Sequence, residues 1–115
     1  MRLGKLGEEL AAEHLKRRGF EIVERNYRTR WGELDIVACD GNTIAFCEVK
    51  TRRGAGNPFE SLHPNKRAQV RKMAGQWLID RTDRPHAPSM RFDAIGIRLD
   101  RYDCLVSLEH LEGAW

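Results

Sequence analysis

Two neighbouring segments decide the fold, Glu33-Leu34-Asp35-Ile36-Val37-Ala38 and Thr43-Ile44-Ala45-Phe46-Cys47-Glu48-Val49-Lys50. The first segment alternates between polar and apolar residues in the manner of a half-buried strand. Asp40-Gly41, which lies between the segments, is a strong hairpin signal. The sequence therefore predicts two antiparallel strands joined by a two-residue turn at Asp40 and Gly41, with the second strand running from residue 43 to about residue 51.

A two-residue turn also fixes which residues lie opposite each other. It places Asp35 opposite Phe46 and Glu33 opposite Glu48. Residues paired across strands share one face of a sheet, and side chains along a strand alternate between faces. We therefore expect Glu33, Asp35, Glu48 and Lys50 to project from one face, with Asp35 and Glu48 as diagonal neighbours.

Such an acidic face requires compensating positive charge. Carboxylates placed directly opposite each other destabilise a hairpin, and burying several of them is costly without a cation. Lys50 supplies one positive charge, and a divalent ion between Asp35 and Glu48 would supply two more. Oxygen ligands with retained waters suit Mg²⁺ or Mn²⁺, and a neighbouring lysine could orient an attacking water or stabilise a phosphoryl transition state. The alternative is an exposed sheet edge, with Glu33 and Glu48 in water and Lys50 pairing with one of them.

The flanking segments complete the pattern of elements. Apolar residues at helical spacing predict one helix before the hairpin and another after it, the second beginning with Pro64. Residues 52–62 and 82–90 are predicted to be loops, the first of them mobile. The predicted elements are helices at 3–18 and 64–81 and strands at 20–27, 33–38, 43–51, 92–97 and 105–108. This order predicts an α/β domain with a mixed central sheet flanked by helices.

Length and composition limit the class of protein. The chain has 115 residues, of which 41% are hydrophobic and 32% charged, so we expect one folded domain over residues 1–115. The uncharged stretch 41–47 is far shorter than the roughly 18 residues of a membrane span, and the first ten residues do not resemble a signal peptide. We therefore expect a soluble cytoplasmic protein without a membrane partner.

The charge distribution points to a polyanionic partner. The net charge is only +3, but residues 61–91 contain seven Lys or Arg and two Asp or Glu. This local excess suits a nucleic-acid backbone, and the alternative is a solvated helix face. The three cysteines are odd in number and include no C-x-x-C pair, and the four histidines are scattered. This pattern predicts neither a disulfide framework nor a zinc site.

The acidic and basic motifs also carry a family resemblance. Asp35 followed by Glu48-Val49-Lys50 resembles the PD-(D/E)xK signature of the restriction-endonuclease-like superfamily, with Leu34 where that signature has a proline. The whole chain more closely resembles the YraN-like family, whose endonuclease role is inferred from this superfamily. The matching pieces, in chain order, are Gly7-Glu8, Arg25-Asn26-Tyr27-Arg28, Gly32-Glu33-Leu34-Asp35, Glu48-Val49-Lys50-Thr51-Arg52, Lys66 and Arg91-Phe92-Asp93.

The resemblance implies a restriction-endonuclease-like α-β-β-β-α-β core and a metal-dependent endonuclease acting on DNA, including branched or recombination and repair intermediates. Asp35 and Glu48 would hold Mg²⁺ or Mn²⁺, Lys50 would assist the nucleophile, and Glu8 or Glu33 would complete the ligands. The alternative for Glu8 is a first-turn acid favoured by the helix dipole. The competing functions are a non-catalytic nucleic-acid-binding module and a scaffold that binds only protein. A homodimer or a larger complex is compatible with each of them.

Several basic residues are candidates for phosphate contacts. Lys66 and Arg67 fall on the same helical sector as the apolar residues of the second helix, where they would either reach phosphate or extend their stems over the end of the sheet. Thr51 and Arg52 lead into a Gly-rich loop that we interpret as a clamp on the DNA backbone, the alternative being a plain solvated loop. Arg28 begins a basic turn.

Four further residues have predicted roles outside the phosphate contacts. Trp31 would either stack on a base or, as we favour, pack in the core. Trp77 follows the apolar spacing of the second helix and is predicted to be a core residue. Cys47 points away from the acidic face and is predicted to be a buried thiol. We expect Asp93 to form a structural salt bridge with Arg91.

Overall fold

Two helices flank a five-stranded mixed sheet in a computed structural model, which describes residues 2–62 and 64–114. The strands lie side by side in chain order; β3 and β4 are parallel and the other neighbours are antiparallel. The predicted α/β class and element order are confirmed. In this described part of the chain, no helix is long and apolar enough to cross a membrane. The elements are α1 (Leu3–Arg17), β1 (Glu21–Thr29), β2 (Gly32–Cys39), β3 (Thr43–Arg53), a 3₁₀ turn (Pro58–Ser61), α2 (Pro64–Asp80), β4 (Ser89–Leu99) and β5 (Leu105–Leu111).

Each face of the sheet is covered by one helix. Leu15 of α1 packs on one face in a cluster that includes Ile36 and Cys47, and we call this the α1 cluster. Trp77 of α2 packs on the other face with Phe46, and we call this the α2 cluster. The central strands are therefore buried on both faces, which explains their nearly continuous apolar runs. Trp77 in the core and Cys47 as a buried thiol are both confirmed.

The β2–β3 hairpin is confirmed, but its turn lies one residue later than predicted. The Asp40 amide donates a hydrogen bond to the Thr43 carbonyl at 3.2 Å. The Asp40 carboxylate accepts hydrogen bonds from the amides of Asn42 and Thr43 at 3.0 and 2.9 Å. β2 ends at Cys39. The Asp40 carboxylate caps the turn, and Gly41, with a φ of 94°, forms the turn with Asn42.

The shifted turn changes the predicted register. Val37, and not Asp35, lies opposite Phe46. The ladder between β2 and β3 ends at Ile36, so Asp35 lies where the two strands separate. Its carboxylate accepts a hydrogen bond from the Val49 amide of β3 at 2.7 Å. This hydrogen bond joins the two strands beyond the last pair of the ladder.

A left-handed residue in β1 changes which face its neighbours occupy. Asn26 has a φ of 56°, a conformation that asparagine tolerates better than most residues. The alternation of side chains is interrupted there. Tyr27 packs in the α2 cluster, whereas Arg25 contacts Glu9 of α1 at 3.0 Å.

The interruption at Asn26 also affects β2, the neighbouring strand. The prediction of one shared face was therefore wrong for the four charged residues Glu33, Asp35, Glu48 and Lys50. Leu34, which pairs with Tyr27, packs in the α2 cluster. Glu33 consequently lies towards α1, and it pairs with Arg28 rather than facing Glu48.

Residues 52–62 contain regular structure where a mobile loop was predicted. β3 continues to Arg53, and a 3₁₀ turn follows at Pro58–Ser61. The Asn57 side chain caps this turn by accepting the Phe59 amide at 2.9 Å. The Phe59 ring packs onto Gly96 of β4, where a Cβ would lie 2.6 Å from the ring.

Candidate metal centre and nucleic-acid groove

Three carboxylates meet where β2 separates from β3. Glu8 of α1 and Glu33 and Asp35 of β2 each offer one oxygen, and these oxygens lie within 4.8 Å of one another; we call these residues the acid triad. Asn26 links two of them, because its Nδ2 donates to Glu8 Oε1 at 2.7 Å and to Glu33 Oε1 at 2.9 Å. Oxygen donors at this spacing fit a hard divalent cation such as Mg²⁺ or Mn²⁺.

A glycine allows α1 to bring Glu8 to the triad. A Cβ at Gly7 would lie only 1.7 Å from Thr51 Oγ1 of β3. Any larger residue at this position must therefore separate α1 from β3. Because Glu8 is the next residue along the helix, this close approach also sets the distance between Glu8 and the acids of β2.

Asp35 is the least compensated carboxylate of the site. Burial, and then the nearby charges of Glu48, Glu8 and Glu33, raise the pKa of Asp35 to about 8, although the hydrogen bond from the Val49 amide opposes the shift. Among residues 2–62 and 64–114, no Lys, Arg or His forms an ion pair with it. The raised pKa favours the protonated form of Asp35 when no cation is bound.

Glu48 lies outside the acid triad and is compensated differently. It is 5% exposed, and its Oε1 lies 3.2 Å from Lys50 Nζ and 3.3 Å from Lys66 Nζ. The structure thus brings Lys66 of α2 to the same carboxylate as Lys50. Glu48 therefore holds the ammonium groups of Lys50 and Lys66 close to each other.

A groove of about 810 Å³ leads to the triad. Arg28 is the most exposed of its ion-paired cations: its side chain is 86% exposed, and its Nε lies 3.4 Å from Glu33. A second guanidinium group, that of Arg25, lies 4.0 Å from Glu8. This combination of basic side chains around less exposed acids suits a phosphate backbone that passes next to a cation. The groove is lined by Arg2, Gly4, Lys5, Glu8, Glu9, Arg25, Asn26, Arg28 and Glu33.

The other predicted nucleic-acid contacts occupy different surroundings. Thr51 lies against Gly7 of α1. Arg52 bonds to the Ala55 carbonyl at 3.0 Å and to Glu60 at 3.2 Å. Arg67 is exposed, whereas Lys66 is half-buried and contacts Glu48 at 3.3 Å; phosphate contact by either residue stays a prediction.

Trp31 packs in part against the α2 cluster. The guanidinium carbon of Arg30 lies 4.6 Å from the centre of its ring. This position agrees with core packing, the role that we favoured for Trp31.

Asp93 anchors a second polar cluster, away from the groove. Its salt bridge with Arg91 is confirmed, with Nε 2.8 Å from Oδ1, and His110 bonds to Oδ2 at 2.8 Å. Although burial acts to raise it, hydrogen bonds from His110 and Arg91 lower the pKa of Asp93 to about 2. His110 also contacts His14 at 3.0 Å, so the cluster joins β4, β5 and α1.

Two residues at the candidate site have roles that the sequence patterns did not predict. Asn26 is the residue type most often left-handed after glycine, which could have signalled the break in β1. Gly7 lies inside a predicted helix, where glycine is unfavourable by up to about 1 kcal/mol relative to alanine. That cost could have signalled a close contact at this position.

The chain is similar to proteins that carry no stated activity. A family model described as "Uncharacterised protein family UPF0102" matches residues 7–97. A UPF0102 protein of Acidothermus cellulolyticus is 46% identical, with 98% of this chain and 92% of that protein covered. A second from Parafrankia sp. is 44% identical, covering 99% and 96%. A third from Mycobacterium avium is 43% identical, covering 98% and 89%.

Proposed function

Because the chain belongs to the uncharacterised protein family UPF0102, whose name states no activity, we propose its function from the geometry of the candidate site. The protein is a divalent-metal-dependent endonuclease that hydrolyses phosphodiester bonds in DNA, and it is a member of the restriction-endonuclease-like superfamily. The observation that carries this proposal is the acid triad at the separation of β2 from β3. Branched DNA and recombination or repair intermediates are included among its substrates.

The acid triad supplies the donors that the ion requires. Glu8, Glu33 and Asp35 would hold Mg²⁺ or Mn²⁺, and no sulfur or imidazole competes in that set, which favours hard cations. When bound, the ion would supply Lewis-acid activation of water and of the phosphodiester. Glu48 would join as a fourth ligand through Oε2, because both lysines contact Oε1.

Lys50 is the residue suited to act on the phosphate or the water. Glu48 holds its ammonium group at 3.2 Å, which limits the motion of the Lys50 side chain. An ammonium group in this position would orient the attacking water or stabilise the negative charge that develops on phosphorus. Lys66 would add a second positive charge to the same region.

Arg25 and Arg28 are suited to hold the DNA backbone. In the metal-free protein they lie beside Glu8 and Glu33 at 4.0 and 3.4 Å. A cation bound by these acids would repel both guanidinium groups; Arg28 would then be free to contact phosphate, while Glu9 would still hold Arg25 at the groove. Metal binding and DNA binding would therefore support each other.

The test is cleavage of labelled linear duplex, single-stranded and four-way-junction DNA with Mg²⁺ or Mn²⁺. The natural protein should cut at least one of them, and Asp35→Asn should cut none. Glu13→Gln is the matched control, because Glu13 is an exposed acid of α1 that pairs with Lys16 at 3.6 Å and does not line the groove. This control should cleave like the natural protein.

A non-catalytic nucleic-acid-binding module is the second candidate. The exposed Arg28 at the groove favours it, since phosphate binding there does not require a metal. Under this candidate the protein binds DNA in a salt-dependent way, cuts no substrate, and melts at the same temperature with and without Mn²⁺. That combination of results would refute the endonuclease and leave the binding module.

A further inference from the structure

A second cavity lies beside the groove, at the outer edge of the sheet. Its volume is about 430 Å³, which is within the roughly 300–1,000 Å³ of small-molecule sites. Residues of α2 line this cavity and residues of α1 line the groove, whereas Arg28 of the edge strand β1 lines both. A DNA strand held on Arg28 would therefore pass next to it. We call it the edge cavity; Tyr27, Arg28, Arg30, Trp31, Gln76 and Asp80 line it.

Trp31 provides a flat aromatic surface in the edge cavity. The side chain packs in part against the α2 cluster, and the residue is half-buried. Core packing thus holds the indole ring in place without enclosing it. Unpaired bases of any sequence stack on aromatic side chains, because every base has a π-face.

Arg30 places a positive charge beside this ring. Its guanidinium carbon lies 4.6 Å from the centre of the Trp31 ring, and the residue is exposed. Among the residues that the structure describes, no Asp or Glu forms an ion pair with Arg30, whereas Arg28 lies 3.4 Å from Glu33. A planar guanidinium group without an acidic partner can stack on a base or contact a phosphate.

The polar side chains of the edge cavity present oxygen acceptors. The Tyr27 hydroxyl donates a hydrogen bond to Asp80 Oδ2, and Gln76 Nε2 donates one to Asp80 Oδ1 at 2.9 Å. Each carboxylate oxygen has a second lone pair for a further donor. Carboxylates accept hydrogen bonds from the exocyclic amino group of cytosine. Adenine and guanine also carry such a group, and thymine does not.

We propose that the edge cavity binds one unpaired base of a DNA strand whose backbone lies on Arg28. The base stacks on Trp31 and its amino group bonds to Asp80, while Arg30 contacts the base or its phosphate. A base reaches the cavity only after it leaves the stack of a duplex, so the cavity selects unpaired nucleotides. This inference rests on the DNA binding proposed above, and it adds a preference for unpaired bases that carry an amino group.

Fluorescence anisotropy tests the edge cavity in an Asp35→Asn background, which prevents cleavage. The probes are labelled duplexes with one unpaired nucleotide, which is cytosine, thymine or an abasic residue that keeps the backbone. The Asp35→Asn protein should bind the cytosine probe about tenfold more tightly than the abasic probe, as expected for stacking on one aromatic ring. The thymine probe should lie between them.

Substitutions in this background separate stacking from amino-group recognition. Trp31→Ala should bring the affinities for the cytosine and abasic probes together, whereas Trp31→Phe, which keeps an aromatic ring, should retain most of the difference. Asp80→Ala should reduce the preference for cytosine over thymine. Tyr102→Ala is the matched control, because Tyr102 is 71% exposed, has the Arg101 guanidinium 5.0 Å from its ring, and lies outside the edge cavity. It should keep the full dependence on the base.

The ratio of affinities distinguishes failure of the edge cavity from failure of DNA binding. Equal affinities of the Asp35→Asn protein for the cytosine and abasic probes would overturn the base-binding role and leave DNA binding by the groove intact. If Trp31→Ala weakened binding of all three probes by the same factor, Trp31 would have only a structural role, and the inference would also be wrong. Absence of binding to every probe would overturn both the DNA path and the base site.

Discussion

At the scale of single residues, the candidate site depends on a carboxylate that the apo protein does not compensate. Glu48 has two lysines within 3.3 Å, whereas Asp35 has one backbone amide and three neighbouring acids. Asp35 would contribute most to the stability of a bound cation. Binding there would relieve the repulsion among the acids and would displace the proton of the Asp35 carboxyl group. Asp35 and Glu48 thus differ in their surroundings, although the charge of Glu48 is close enough to raise the pKa of Asp35.

Replacing Asp35 by asparagine should separate its role in metal binding from its role in the fold. Because Asp35 is largely protonated at neutral pH without metal, Asp35→Asn should leave the free energy of unfolding unchanged or raise it by at most about 1 kcal/mol. Millimolar Mn²⁺ should raise the melting temperature of the natural protein but not of the variant. If the variant unfolds without metal, Asp35 is a structural partner and the metal-site assignment fails.

The same carboxylate should make apo stability depend on pH. The pKa of Asp35, raised by burial and by Glu48, is about 8 in the folded protein and about 3.9 in the unfolded chain. Between these values the folded state binds more protons, so the free energy of unfolding should fall as pH rises from about 4 to about 8. Urea unfolding at several pH values would show a smaller fall for Asp35→Asn. Equal slopes for the two proteins would contradict the raised pKa.

At the scale of elements, the site depends on how closely α1 approaches the sheet. Gly7 is the contact point, and its α-carbon faces Thr51 of β3 with no room for a methyl group. α1 provides Glu8, whereas β2 provides the other two acids. A displacement of the helix would therefore open the acid triad without touching any ligand.

Gly7→Ala should weaken metal binding through this displacement. A Cβ at 1.7 Å from Thr51 Oγ1 cannot be accommodated without movement, so we expect a lower melting temperature and a smaller rise with Mn²⁺. Gly4→Ala is the matched control, because a Cβ at Gly4 of the same helix would meet no atom within 4 Å. It should be as stable as the natural protein or slightly more so. Identical effects of the two substitutions would show that the close approach is not needed.

The elements were predictable from the sequence, but their exact register was not. Alternation and helical spacing predicted both helices and all five strands, because these patterns reflect burial on the faces of the sheet. The turn was misplaced by one residue because Asp40 can either enter a turn or cap it, and the choice depends on amides at Asn42 and Thr43. The left-handed Asn26 then moved Glu33 to the other face, which local alternation could not show.

At the scale of the whole molecule, the structure gathers bases from the N-terminal part of the chain in the groove. The groove lining contains four Lys or Arg and three Glu, whereas β5 contains Glu109 and no Lys or Arg. The excess of Lys and Arg over residues 61–91 lies outside the groove lining. The groove is lined instead by bases from the N-terminal part of the chain, which only the fold brings together. The proposed DNA path therefore follows the groove.

DNA binding through the groove should depend steeply on salt, because each phosphate contact releases a counterion. We expect Lys5→Ala with Arg28→Ala, made in an Asp35→Asn background to prevent cleavage, to lower the slope of log K against log salt by up to about 0.9 per contact removed. Arg101→Ala in the same background is the control, since Arg101 is exposed and does not line the groove. Fluorescence anisotropy with labelled duplex at several salt concentrations measures the slopes. If the control lowers the slope as much as the double substitution, the cations act only through net charge. The groove would then not be the DNA path, even if the protein binds DNA.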